Sequence, residues 1–230
     1  MTSPGVTEPD AAPGPLLTSG MTADVYLIDE RRILRRYRQQ HDLSREVEIM
    51  RHLRSHGFAV PEVYAAEGLD LVMERLQGPT MLQALAAGEI SLPDGGQLLA
   101  DLHRQLHSVP PPHRDGEGIV HLELQPGNVI LSEKYGPVII HWANARTGPA
   151  DLDIAVSAVI IAEVAVDEDD PEYSRAARAF LAAFLAAAHG DPLPHLDAAV
   201  RIRLGDPSLV PGERALVPPA ADLVRQFASV

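Results

Sequence analysis

Glu123 and Asn128 stand five residues apart around Pro126-Gly127, and His141 follows at the end of the short apolar run Val138-Ile139-Ile140. Carboxylate, carboxamide and imidazole are side chains that exchange protons, hold cations or contact phosphate. As a metal site the set is thin. Mg²⁺ takes oxygen ligands in a tight octahedron, zinc and manganese accept imidazole, and the chain has no cysteine to add. The plain alternatives are a solvated loop carboxylate at Glu123, a turn residue at Asn128 and a packed or hydrogen-bonding histidine at His141. A protonated His141 is also suited to direct contact with a phosphate.

Arg35 and Glu46 form a second candidate set. Glu46 lies three residues after Leu43 and four before Met50, on the inward face of a helix. A charge there needs a partner. Arg35 on the adjacent strand is the natural one, and the alternative is a surface pair among Arg36, Arg38 and Glu48. His103 and His107 have the i, i+4 spacing of a metal pair but lack the His-Glu-x-x-His pattern, so they read as a solvated helix face. Asp167 to Asp170 reads as an acidic loop entering a helix.

The elements that must position these residues come in a clear order. Val25–Ile28 and Arg32–Arg35 read as a hairpin around Asp29-Glu30. Asp42 can cap a helix carrying Leu43, Val47, Met50 and Leu53 on one face, with His56-Gly57 at its end and Pro61 blocking continuation. Residues 63–65 and 69–74 read as a second strand pair turning at Gly68. Short helices then follow over 81–87 and 97–107, with a stiff Pro110-Pro111-Pro112 linker. A hairpin of 129–131 and 138–140 has Gly136-Pro137 in its turn. Helices over about 152–166, 172–188, 195–204 and 212–228 complete the chain. Strands before helices, with one hairpin between helices, predict an α+β fold.

At 230 residues the chain is long enough to bury a sizeable core. A net charge of −13 argues against a nucleic-acid binder or an anionic-membrane binder. The absence of cysteine fits a reducing compartment. Residues 1–15 read as a flexible tail with no secretory pattern. The apolar run 154–166 is too short to span a bilayer and carries Glu163. The expectation is a cytoplasmic protein that uses neither nucleic acid nor membrane.

Several motifs in order resemble the aminoglycoside phosphotransferase / choline kinase-like family, a branch of the protein-kinase fold. Ser19 to Tyr26, with Gly20, resembles the nucleotide-covering loop. Arg35 stands on the third strand, where lysine is commonest, and Glu46 matches the glutamate of the following helix. Met73 to Gly78, with Glu74, resembles the linker between lobes. His121 to Asn128 matches the catalytic loop, Ile139 to Trp142 the metal strand, and Asp153 the aspartate that braces the loop from below. The resemblance implies a two-lobed kinase-like fold, with a small lobe over 16–75 and a helical lobe over 76–230. It further implies ATP and a small-molecule acceptor as ligands, with His121 and Asp153 as structural supports.

The departures decide the functional expectation. Glu123 replaces the catalytic aspartate and adds a methylene. His141 replaces the aspartate that holds Mg²⁺, so magnesium is doubtful. Gln125 replaces a common histidine. The first reading is a degenerate, pseudokinase-like phosphotransferase that binds a nucleotide, metabolite or protein with little or no transfer. The second is an active kinase with Glu123 as base and Asn128 and His141 in an unusual coordination. The third is an interaction scaffold without nucleotide. The acidic helical lobe would suit a cationic acceptor electrostatically.

Overall fold

The computed structural model describes residues 13–39, 41–112 and 117–228. The tail expected over 1–15 lies, but for its last three residues, outside them.

The small lobe is a five-stranded antiparallel sheet. In chain order its strands are β1 (Leu16–Ser19), β2 (Ala23–Leu27), β3 (Arg32–Tyr37), β4 (Val63–Glu67) and β5 (Asp70–Glu74), arranged β1-β2-β3-β5-β4. The hairpin around Asp29-Glu30 is present, with Leu27 opposite Ile33. β1 precedes the two strands that the sequence marks as a hairpin. All four of its residues are exposed, so it carries no inward period that marks a strand.

Helix α1 (Leu43–Ser55) connects β3 to β4 and is capped by Asp42, whose side chain accepts from the Arg45 N–H. Its expected inward residues Leu43, Val47, Met50 and Leu53 are all buried, and Glu46 is buried with them. Ala23, Tyr37, Leu43, Val47, Leu71 and Met73 make the small core of this lobe.

The larger part is helical: α2 (Met81–Ala86), α3 (Leu92–His107), α4 (Ala150–Val166), α5 (Pro171–Ala187), α6 (Leu196–Leu204) and α7 (Pro211–Ala228). Residues 154–162 of α4 are buried on every side. A helix apolar all round belongs in the middle of a domain, and α3, α5, α6 and α7 pack about it. Between α3 and α4 run β6 (Ile119–Val120), β7 (Val129–Ser132), β8 (Gly136–Ile139) and β9 (Arg146–Thr147), as the pairs β6-β9 and β7-β8. Gly136 and Pro137 prove to be the first residues of β8 and pair with Ser132 and Leu131; they do not form the turn.

α3 begins five residues earlier than its apolar period suggests, capped by Ser91 and running through Gly95-Gly96. Those glycines weaken a helix in isolation, but here they allow close approach. A Cβ on Gly96 would sit 2.7 Å from Ala183 Cβ and the Phe184 nitrogen of α5.

Candidate functional site

The loop from His121 to Asn128 is held from beneath by one buried carboxylate. Asp153, in the first turn of α4, accepts from the Leu122 N–H at 2.6 Å, the His121 N–H at 3.0 Å and His107 Nε2 at 2.9 Å. Burial alone would raise its pKa. The His107 hydrogen bond and the neighbouring imidazoles outweigh burial and hold it well below the carboxylate range.

His121 is fully buried and spans the loop. Its Nε2 donates to the Ile140 carbonyl at 2.9 Å, and its Nδ1 accepts from the Glu123 N–H at 3.2 Å. Two opposite partners fix one neutral tautomer, and burial pushes its pKa down. The ring also meets Trp142 edge-on at 4.8 Å between centroids. Asn128 closes the loop by donating through Nδ2 to the Glu123 carbonyl at 2.8 Å. Its own carbonyl accepts from the Ile140 N–H at 2.9 Å.

Backbone strain concentrates at the same place. Among the described residues, the non-glycine residues with positive φ are Leu122, immediately before Glu123, and His141, at φ 69° and ψ 57°. Such conformations cost on the order of 1–3 kcal/mol and persist where the surroundings impose them. At Leu122 the constraint is Asp153. At His141 the chain leaves β8 and enters a 3-10 turn over Trp142–Asn144.

The side chains at the cleft form one connected network. Glu46 Oε2 accepts from the Tyr37 hydroxyl at 2.7 Å and contacts His41 Nε2 at 3.0 Å, while Oε1 lies 3.7 Å from Arg35 Nη1. Oε1 is a buried oxygen with no hydrogen-bond partner, so this ion pair is loose. Burial opposes the Glu46 charge, but His41, Arg35 and Tyr37 more than offset it and its pKa is lowered. Arg35 lies over the Tyr37 ring at 4.8 Å. Its Nη2 points to His141 Nδ1 at 3.2 Å. His141 Nε2 in turn lies 3.2 Å from Glu123 Oε2. That same oxygen accepts from Asn144 Nδ2 at 2.8 Å.

Arginine only donates. Its Nη2 also lies 3.4 Å from His141 Nε2, so the arginine reaches both ring nitrogens, and the ionised Glu123 carboxylate, which only accepts, draws its hydrogen from Nε2. Burial would raise the Glu123 pKa; the hydrogen bonds from His141 and Asn144 and the imidazoles of His141 and His121 bring it down to about 2. Glu123 is thus a firmly ionised carboxylate with one oxygen occupied.

The arrangement does not fit Mg²⁺. His141 presents nitrogen where a hard cation needs oxygen, and both its nitrogens face protein groups. Among the described residues no group of three or more His, Asp or Glu side chains could hold a metal ion. For a polyphosphate, Arg35 is the chemically suited residue of this network.

The remaining expected positions lie outside it. Gly20 sits in the β1–β2 turn and donates within that turn to the Ala23 carbonyl at 2.9 Å. The turn is closed by Ser19, Asp24 and Arg38, with Arg38 Nη2 on Asp24 at 2.7 Å. Glu74 at the linker accepts from the Tyr135 hydroxyl at 2.8 Å and from the Glu62 N–H.

The expectation of a solvated face at His103 and His107 is overturned. His103 is buried, donating to the Leu99 carbonyl through Nδ1 and contacting Ser157 Oγ at 3.0 Å; burial drops its pKa to about 4. His107 is a partner of Asp153. Their i, i+4 spacing aims both at α4 because α3 packs on it. Tyr37, His41 and Asn144 were also missed. Tyr37 had a usable signal, since it follows Arg35 by two on a strand and shares its face. Asn144 had none, because a 3-10 turn brings it back to Glu123.

Residues 14–119 match the model of the phosphotransferase enzyme family. The solved structures similar to the chain include the ADP-bound aminoglycoside phosphotransferase APH(2'')-Ib, at 14% identity and TM-score 0.55, covering 93% of this chain and 92% of that one. The streptomycin–ATP complex of APH(2'')-IIa is similar at 15% identity and TM-score 0.56, covering 91% and 92%. A choline/ethanolamine kinase family protein from Mesorhizobium loti is similar at 14% identity and TM-score 0.55, covering 94% and 89%. No curated protein sequence matches the chain. At such identities the likeness establishes the fold, which is the two-lobed kinase-like one expected from the motifs. No helix among the described residues is long and apolar enough to cross a membrane.

Proposed function

We propose that this chain is a degenerate phosphotransferase, retaining the cleft of a small-molecule kinase with little or no metal-dependent phosphoryl transfer. The observation that carries this reading is the bridge Arg35–His141–Glu123. Phosphoryl transfer relies on a basic residue at the phosphates, a carboxylate at the metal and a carboxylate at the acceptor hydroxyl. In this cleft the middle position is an imidazole, and it engages the other two.

Glu123 is poorly matched to proton abstraction. A carboxylate with a pKa of about 2 is a weak base at neutral pH. Its extra methylene extends the reach by on the order of 1.5 Å, and misplacement of about 1 Å costs roughly a hundredfold in rate. Its Oε1 remains available to orient a hydroxyl, a binding role that survives without transfer. Arg35 would meet a phosphate while His141 keeps a metal from sharing it. ATP is therefore retained as a candidate ligand and Mg²⁺ is not.

Nucleotide hydrolysis and transfer assays test this, with ATP and either Mg²⁺ or Mn²⁺. The expected result is turnover at background, unchanged by Glu123→Ala. Robust metal-dependent turnover that Glu123→Ala abolishes would establish an active kinase instead.

A further inference from the structure

Two charged groups hold the His141 ring in one orientation. Its Nε2 donates to Glu123 Oε2 at 3.2 Å, and a neutral imidazole with its hydrogen on Nε2 keeps a lone pair on Nδ1. Arg35 Nη2 lies 3.2 Å from Nδ1 and 3.4 Å from Nε2. A donor collinear with the Nδ1 lone pair would stand roughly 5 Å from Nε2. The guanidinium therefore sits against the side of the ring that carries both nitrogens and does not cap the lone pair. The imidazole is 29% exposed, so Nδ1 is open to the cleft.

Among the described residues no other imidazole has this pair of neighbours. His107 contacts Asp153 and His41 contacts Glu46, with no guanidinium against either ring. His189 meets Arg104 but no carboxylate. His141 also sits in the strained backbone at the exit from β8, and strain of this kind gathers where a side chain is held for a task. An imidazole oriented by a carboxylate through one nitrogen, with the other nitrogen free, has the layout of an activated nucleophile.

We infer that His141 Nδ1 accepts a phosphoryl group from a small acyl phosphate, without metal. Nδ1 attacks phosphorus, the Nδ1–P bond forms as the P–O bond to the acyl group breaks, and the carboxylate leaves with the electron pair. Such a leaving group needs no proton, so the weak basicity of Glu123 is no obstacle. The Nε2 hydrogen stays in place and the phosphorylated ring becomes cationic. The ionised Glu123 stabilises that charge, as the aspartate of a Ser-His-Asp triad stabilises its imidazolium. Arg35, beside Nδ1, neutralises the phosphoryl oxygens. An acyl phosphate carries fewer negative charges than a nucleoside triphosphate, which suits a site with one arginine. The inference rests on the metal-free reading of the cleft. Failure of labelling would leave that reading intact, and metal-dependent ATP turnover would overturn that reading with the labelling result unchanged.

The full chain is incubated with acetyl phosphate and EDTA in mildly alkaline buffer, then read by intact mass and by fragmentation of the peptide carrying His141. The expected product holds a single phosphoryl group, on His141, lost in brief acid and kept in alkali as a phosphorus–nitrogen bond is. An ester on a serine or tyrosine hydroxyl would survive the acid. Glu123→Gln, which removes the countercharge, should slow labelling by about tenfold or more. Arg35→Lys, which keeps the charge but loses the planar fork, should slow it by about threefold or more. His189→Gln, outside the network, should label as the wild type does, and His141→Gln should not label. Site mapping and Glu123→Gln decide the matter even if the His141 variant fails to fold. The absence of acid-labile label, label on another residue, or an unchanged rate in Glu123→Gln or Arg35→Lys would overturn the inference.

Discussion

Arg35 and His141, 106 positions apart in the chain, meet at 3.2 Å across the cleft. One lies on a strand of the small sheet and the other at the strained exit from β8. Through His141 the contact reaches Glu123, so the basic and acidic groups of the cleft satisfy one another. A cleft wired in this way places an imidazole between its arginine and its carboxylate.

Removing Arg35 should expose how far Glu46 depends on it. The carboxylate is 1% accessible and one of its oxygens already lacks a hydrogen bond. Arg35→Ala leaves a buried charge with only Tyr37 and His41, and should cost about 3 kcal/mol in urea unfolding. Glu46→Gln in the same background should recover much of the loss. A double variant no more stable than the single one would mean that Glu46 is held by Tyr37 and His41 alone.

Asp153 should matter more than its distance from the cleft suggests. Asp153→Ala strips the buried N–H groups of His121 and Leu122 of their acceptor, at about 1–3 kcal/mol each. It also releases the positive φ at Leu122. The expected outcome is a loss of roughly 3 kcal/mol or more, with faster hydrogen exchange at Leu122. Asp153→Asn keeps one acceptor and should fall between the two.

Acid should weaken the fold in two stages. His103 has its pKa lowered from an ordinary 6.5 to about 4, and His121 is lowered as well. As pH falls from 6.5 towards 4 the unfolded chain takes up protons that the folded chain refuses, so stability declines, by about 3 kcal/mol for His103 alone. Glu123 is lowered from 4.5 to about 2. Its contribution is complete above 4.5 and disappears as pH falls towards 2, and that of Asp153 follows the same sign. Denaturant melts between pH 7 and 4 should therefore slope downwards, and His103→Gln should flatten that segment. A flat wild-type profile there would contradict the burial of a neutral His103.

Much of this was legible in the sequence. The spacing of Leu43, Glu46 and Met50 placed a glutamate on the inward face of α1, and Arg35 on the adjacent strand was its natural partner. The family resemblance carried by His121–Asn128 and Asp153 implied a braced loop, and Asp153 does hold the His121 and Leu122 N–H groups. What escaped depended on tertiary neighbours. His103 and His107 look solvated until α4 supplies Ser157 and Asp153, about fifty residues away. The start of α3 was hidden by Gly95-Gly96, whose helical role exists only against α5. The sequence placed His141 at a strand end but held no sign that it would join Arg35 to Glu123.

Whether His141 bars metal from the cleft is decided by calorimetric ATP titration with metal omitted and restored, for the wild type and for His141→Asp combined with Glu123→Asp. The double variant places carboxylate oxygens with Asn128 and frees Arg35 from the imidazole. Mg²⁺ is expected to leave wild-type ATP binding unimproved and to strengthen it in the double variant. An identical response to Mg²⁺ in both proteins would contradict the assignment of His141 as the residue that closed this site to metal.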